Sequence, residues 1–154
     1  MKALFSNRWV SLLLRLILGG CFLYAGILKI QSPQAFADSI ASFQLLPNPL
    51  INLLAITLPV FEVIVGLMLI TGYERGVAAL SVLILTTVFA VAVISALARG
   101  LQVDCGCFGS GQPSVLKTWL SLGRDLLFGG MAWMIWTREA TLNRLVEERS
   151  PAQD

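Results

Sequence analysis

Four apolar stretches, at roughly 9–30, 50–71, 76–98 and 115–137, constrain this chain more than any other feature. Each is long enough to cross a bilayer, which takes about 20 mostly apolar residues. Only 13% of the residues are charged, against about 25% in an ordinary soluble domain. The 154 residues allow one domain. Trp9, Trp119, Trp133 and Trp136 fall near stretch ends, where interfacial aromatics sit. The expectation is an all-α, four-transmembrane-helix bundle over residues 1–137. Residues 138–154 read as a polar cytoplasmic tail, either a short surface helix or a frayed end.

Lys2 and Arg8 precede the first apolar run as in a signal peptide, but the run is too long and no small-residue cleavage site follows. Leu18-Gly19-Gly20-Cys21 has the form of a lipoprotein cleavage box, except that Arg15 interrupts the apolar segment before it. Lysine and arginine counts set orientation. With the N-terminus inside, the inner side carries Lys2, Arg8, Arg75, Arg138, Arg144 and Arg149, and the outer side carries Lys29, Arg99 and Lys117. Six against three predicts N-in, C-in in the inner (cell) membrane. The loop holding Cys105 and Cys107 then faces the periplasm, where disulfides persist.

Between the first two spans, Ser32 is placed to cap a helix that Pro33 starts. Phe36, Ile40 and Phe43 share one face, so a short amphipathic helix is expected on the outer surface. It reads either as a roof over the bundle near the Cys loop or as a connector lying on lipid.

Arg15, Glu62, Arg124 and Asp125 fall inside spans, where charges are costly and face the interior, paired. At about 1.5 Å per residue they lie at depths of roughly 9, 13 and 18 Å from the inner boundary, the last value for the adjacent pair. A buried network joining spans 1, 2 and 4 follows. Arg124 and Asp125 point about 100° apart on a helix and are expected to address different partners. Pro59 should kink span 2 and free a backbone carbonyl nearby. The network reads as a register device, or as a headgroup site for a cofactor such as a quinone, or as a proton path.

The run Asp104-Cys105-Gly106-Cys107-Phe108-Gly109 carries the thiol chemistry. A disulfide needs Cα atoms within about 7 Å, and Gly106 permits the bend that brings i and i+2 together. The ring would be small and strained, and strained, exposed disulfides are the labile ones. Asp104 can accept a thiol proton, while Arg99 and Lys117 would favour the thiolate if they fold back toward it. A structural disulfide in so short a loop would stabilise little. Zinc needs four ligands; Asp104, Cys105 and Cys107 supply three, and there is no His. A soft ion such as Cu(I) accepts fewer thiolates. Cys21 reads as a small core residue or, less simply, a third thiol relaying electrons.

Taken together, these residues resemble the MauE branch of the DoxX-like membrane proteins. The ordered features are Arg15…Gly19, Ala25-Gly26…Lys29, Pro33…Phe36, Leu45-Leu46-Pro47, Pro59…Phe61-Glu62…Gly66, the Asp-Cys-Gly-Cys-Phe-Gly run and Trp119…Arg124-Asp125, spanning about residues 10–136. The resemblance implies a four-helix bundle linked to maturation of disulfide-rich periplasmic enzymes, beside a thioredoxin-like partner. The bundle is also similar to quinone-linked thiol oxidases. It departs from them in having Cys-x-Cys rather than Cys-x-x-Cys and in leaving Cys21 without a partner thiol.

The first functional reading is therefore a membrane thiol–disulfide oxidoreductase component. Cys105, Cys107 and Asp104 form its reactive group, with a periplasmic thioredoxin-like partner and a quinone held near Arg15, Glu62, Arg124 and Asp125. Alternatives are a soft-metal or small-thiol carrier and an accessory subunit of a larger membrane complex. No basic patch interleaved with aromatics and no phosphate-cradling glycine loop is present.

Overall fold

The computed structural model describes residues 8–101, 103 and 115–149. All the regular structure among them is helical: α1 (Arg8–Gln31), α2 (Pro33–Ser42), α3 (Asn48–Thr71), α4 (Arg75–Ala98) and α5 (Val115–Arg149). Three of these, α1, α3 and α4, are long and apolar enough to cross a membrane by length and composition. The protein is thus an all-α, multi-pass membrane protein. α5 has the length, but Lys117, Arg124 and Asp125 interrupt its apolar character. It also runs without a break through residue 138 to Arg149, so the expected change at 137 is one of composition rather than of structure.

The turns follow from local chemistry. Gly72 ends α3 in the left-handed region at φ 80°, and its N–H donates to the Met68 carbonyl at 2.9 Å, a glycine C-cap. A side chain here would also strike the Arg15 guanidinium. α2 starts at Pro33 as expected, but the Ser32 hydroxyl makes no capping bond; its carbonyl accepts from Phe36 N–H and its own N–H donates to the Leu28 carbonyl, both at 3.2 Å. Pro59 sits inside α3, buried.

α1 packs along α3, and α4 along α5; these are the two extensive helix pairings. They join along thinner seams, α3 beside α4 and α1 beside α5. The shared core draws on all four long helices, with Leu18, Val65, Leu69, Val82, Ala132 and Ile135 essentially fully buried. A second cluster of Phe43, Val93, Ala96 and Val103 closes the far end. Outward-facing positions are apolar, Ile56, Val88 and Leu126 among them, as lipid contact requires.

Glycine sets how close α1 and α3 come. A Cβ on Gly19 would sit 2.8 Å from the Gly66 carbonyl oxygen, and one on Gly66 would sit 2.8 Å from the Gly19 oxygen. This is close backbone packing through small residues. Gly20, next in the chain, has nothing within 4 Å of a built Cβ. Neighbouring alanine substitutions should therefore differ in sign. Gly19→Ala should cost about 1–3 kcal/mol through overpacking, while Gly20→Ala should gain about 0.5–1 kcal/mol of helix propensity. Thermal unfolding in detergent micelles measures both; equal shifts would contradict this packing.

Candidate functional site

The packing of α1 on α3 brings Lys29 to Glu62. The ammonium Nζ donates to both carboxylate oxygens, at 2.6 Å to Oε1 and 2.8 Å to Oε2. Their side chains are only 1% and 4% exposed. Phe36 from α2 and Phe89 from α4 lie against the ammonium, ring centroids 4.7 and 5.5 Å away. Cation–π attraction is strongest when desolvated in this way. α2 thus lays its apolar face on the bundle, with Phe36 and Phe43 buried, and not on lipid.

Lys29 counted as an outer loop charge in the sequence reading; the structure corrects this, because it is a buried cation inside the bundle. A signal was present. Lys29 follows Phe22 and Ala25 at i+7 and i+4 on α1, the face that meets α3 and α5.

Beside this pair lies a second one. Arg124 donates to Asp125 Oδ1 through Nη2 at 2.9 Å and through Nε at 3.3 Å. Adjacent residues on a helix were expected to diverge, yet the long guanidinium folds back across the intervening 100° to reach its neighbour. Arg124 is also 6.0 Å from the Phe128 ring. Glu62, Arg124 and Asp125 border one small cavity of about 30 Å³, together with Cys21, Thr86 and Phe89. That volume holds about one water. Cys21 is half-buried with a free thiol.

Arg15 does not join them. Its Nε and Nη2 donate to the Leu69 carbonyl at 3.0 and 2.8 Å, and it is 6% exposed. The physical reason is register. Gly19 faces Gly66, so in an antiparallel pair Arg15 stands level with the end of α3. Glu62 is about 10 Å deeper along α3 than Leu69. Depths counted from the span boundaries missed this offset, because α1 begins below the end of α3.

Asp104, Cys105 and Cys107 lie outside the described residues, but the anchor preceding them does not. Val103 is buried, its N–H donates to Thr118 Oγ1 at 3.3 Å, and the Thr118 hydroxyl donates to its carbonyl at 3.0 Å. Arg99 donates to the Phe43 carbonyl at 2.8 Å and to the Gln44 carbonyl at 3.4 Å. Its guanidinium is thus committed to tying α4 to the end of α2. Sequence reasoning missed Thr118, which has no distinguishing pattern.

This fold, with ion pairs closed inside it, defines a polytopic helical membrane protein built around a buried charged centre. A family model described as "Methylamine utilisation protein MauE" matches residues 7–137, and the chain belongs to that family. Similar proteins include the methylamine utilization protein MauE of Paracoccus denitrificans, 32% identical over 125 residues that cover 80% of this chain and 67% of that one. The MauE of Methylorubrum extorquens is 30% identical over 138 residues, covering 86% and 74%. That of Paracoccus versutus is 29% identical over 133 residues, covering 86% and 71%. No solved structure matches.

Removing one partner of a buried pair strands the other charge. Glu62→Gln should therefore cost about 3–5 kcal/mol, and Lys29→Met/Glu62→Met together much less than the sum of the singles. Thermal unfolding in detergent of Glu62→Gln, the two methionine singles and their double tests this; additive losses would show that the pair is not coupled.

Proposed function

We propose that this protein is a membrane-bound thiol–disulfide exchange component, acting through Cys105 and Cys107 on a thioredoxin-like partner at the outer face of the cell membrane. One observation carries the reading. The Asp104-Cys105-Gly106-Cys107 run begins directly after an anchored residue, Val103, held to α5 through both of its backbone polar groups. A reactive segment is useful when rigid elements present it. The relatives' names tie those proteins to methylamine utilization. On that basis we assign this chain to the same process, serving oxidation of disulfide-rich exported enzymes.

In this reading α5 is the fourth span. Its outward face carries Leu116, Leu120, Leu126, Leu127 and Trp133, all more than half exposed, a surface suited to lipid. With Lys29 taken out of the loops, the sequence count becomes Lys2, Arg8, Arg75, Arg138, Arg144 and Arg149 on the inner side against Arg99 and Lys117 on the outer, which favours the Cys segment outside.

The exchange itself runs in two steps. A thiolate of the Cys105–Cys107 dithiol attacks a partner disulfide and expels a partner thiolate, leaving a mixed disulfide. The second thiolate attacks that bond and releases the reduced partner. This chain ends with a disulfide and the partner with a dithiol, two electrons and two protons having moved; the reverse reaction oxidises the partner. Asp104 is placed in sequence to accept a thiol proton. Thiol–disulfide exchange is complete between the two dithiols, so no step is routed through a quinone.

Purified protein in detergent, with Cys105 and Cys107 oxidised to a disulfide and mixed with a reduced thioredoxin-like protein, should transfer that disulfide. Cys105→Ser and Cys107→Ser should each abolish transfer, and one of them should accumulate a mixed disulfide on a non-reducing gel. The couple should have a potential above about −300 mV, as labile disulfides do. Undiminished transfer by both variants would sink the reading.

A further inference from the structure

At the opposite end of the bundle from Val103, a cleft of about 480 Å³ opens among α1, α4 and α5. That size lies within the ordinary range for small-molecule sites. Its polar lining is lopsided: Arg15, Arg75 and Arg138 against one carboxylate, Glu139. Three positive groups less one negative leave a formal +2.

Arg15 is the informative member. Only 6% of it is exposed, and its bonds among the described residues run from Nε and Nη2 to the Leu69 carbonyl, a neutral acceptor. A guanidinium carries five N–H donors in a planar fork. The Nη1 donors therefore have no acceptor among the described residues, on a side chain that borders the cleft. A buried cation next to a neutral carbonyl has its orientation fixed but not its charge balanced. Glu139 attracts it through space, but less strongly than Arg75 repels it, and that carboxylate also faces Arg75 Nη1 at 3.8 Å.

We propose that this cleft binds a phosphate-bearing anion, held by Arg15 at its floor and by Arg75 and Arg138 at its rim. Guanidinium forks match phosphate oxygens in pairs, and arginine pockets between membrane helices suit anionic lipid headgroups. The remaining lining fits a lipid source. Trp9, Leu12 and Leu142 form the apolar part of the wall, and Trp9 is 66% exposed at the first turn of α1, where a headgroup region would meet it. Soluble phosphate shares the same chemistry, and the experiment separates the two.

Thermal unfolding and native mass spectrometry of delipidated protein should be compared in phosphatidylglycerol, in phosphatidylcholine and in inorganic phosphate. Stabilisation by phosphatidylglycerol alone supports the site with a lipid ligand; stabilisation by inorganic phosphate supports it with a soluble one. Arg75→Gln/Arg138→Gln should weaken either ligand by at least about tenfold, read as the ligand-induced shift from the variant's own ligand-free unfolding temperature. Glu139→Gln should tighten binding by removing the like charge. Arg15→Gln removes a helix contact as well, so the rim variants carry the test. Equal stabilisation by the two lipids with none by phosphate overturns the proposal, as does full retention of binding by the rim double variant.

Discussion

A lysine and a glutamate on helices that face hydrocarbon cannot be left apart, since neither charge has water to solvate it. Lys29 and Glu62 therefore fix one register for α1 against α3. Side chains on a helix lean toward its N-terminus, so the Lys29 ammonium reaches down α1 to the level where Glu62 projects from α3. The backbones must lie close for this to happen, and Gly19, Gly26 and Gly66 allow it, each with α3 or α1 backbone within 3 Å of a built Cβ. Arg15 on the Leu69 carbonyl ties the other end. With both ends fixed, Phe36 has a defined surface to cover, and α2 becomes a wall of the bundle instead of a strap across lipid.

The second helix pair takes its position from the same centre. α4 and α5 are joined to α1 and α3 by comparatively thin seams. The small cavity lies where those seams meet, with Glu62 from α3, Thr86 from α4, and Arg124 and Asp125 from α5 on its border. With Lys29 paired to Glu62 just beside it, two cations and two anions meet here and sum to zero, which is the arrangement a low-dielectric interior tolerates. Farther along, Arg99 on the Phe43 and Gln44 carbonyls and Thr118 on Val103 make a collar where the helices end. The bundle is thus held by polar contacts at three levels, with apolar packing between them.

The helix positions were legible because hydrocarbon thickness imposes a length that apolar runs display directly. α1, α3 and α4 fall within two or three residues of the expected stretches. The amphipathic face of α2 was legible too, through Phe36 and Phe43. Pairing was not. The intramembrane charges Glu62, Arg124 and Asp125 announced themselves by their cost, but Lys29, at the edge of its stretch, looked like an ordinary flanking cation until α3 was set against it. Arg15 illustrates the converse. Its burial was expected, yet its partner is a main-chain carbonyl, and any residue type would have supplied one. Thr118 has the same character, a common residue made specific by what lies opposite.

Distance decides what the charged centre can contribute to the thiols. Asp125 lies about 10 Å along α5 from Thr118, and Cys21 about 12 Å along α1 below Lys29. Thiol–disulfide exchange requires one sulfur to attack another directly. Cys21 borders the cavity, packed among Phe22 and its neighbours, and Lys29, Glu62 and Phe36 lie between it and the end of the bundle where Val103 is anchored. The Lys29–Glu62 pair that specifies the fold is thus engaged in holding α1 on α3, and in the proposed exchange the return electrons are carried by a partner docking on the Cys105–Cys107 segment.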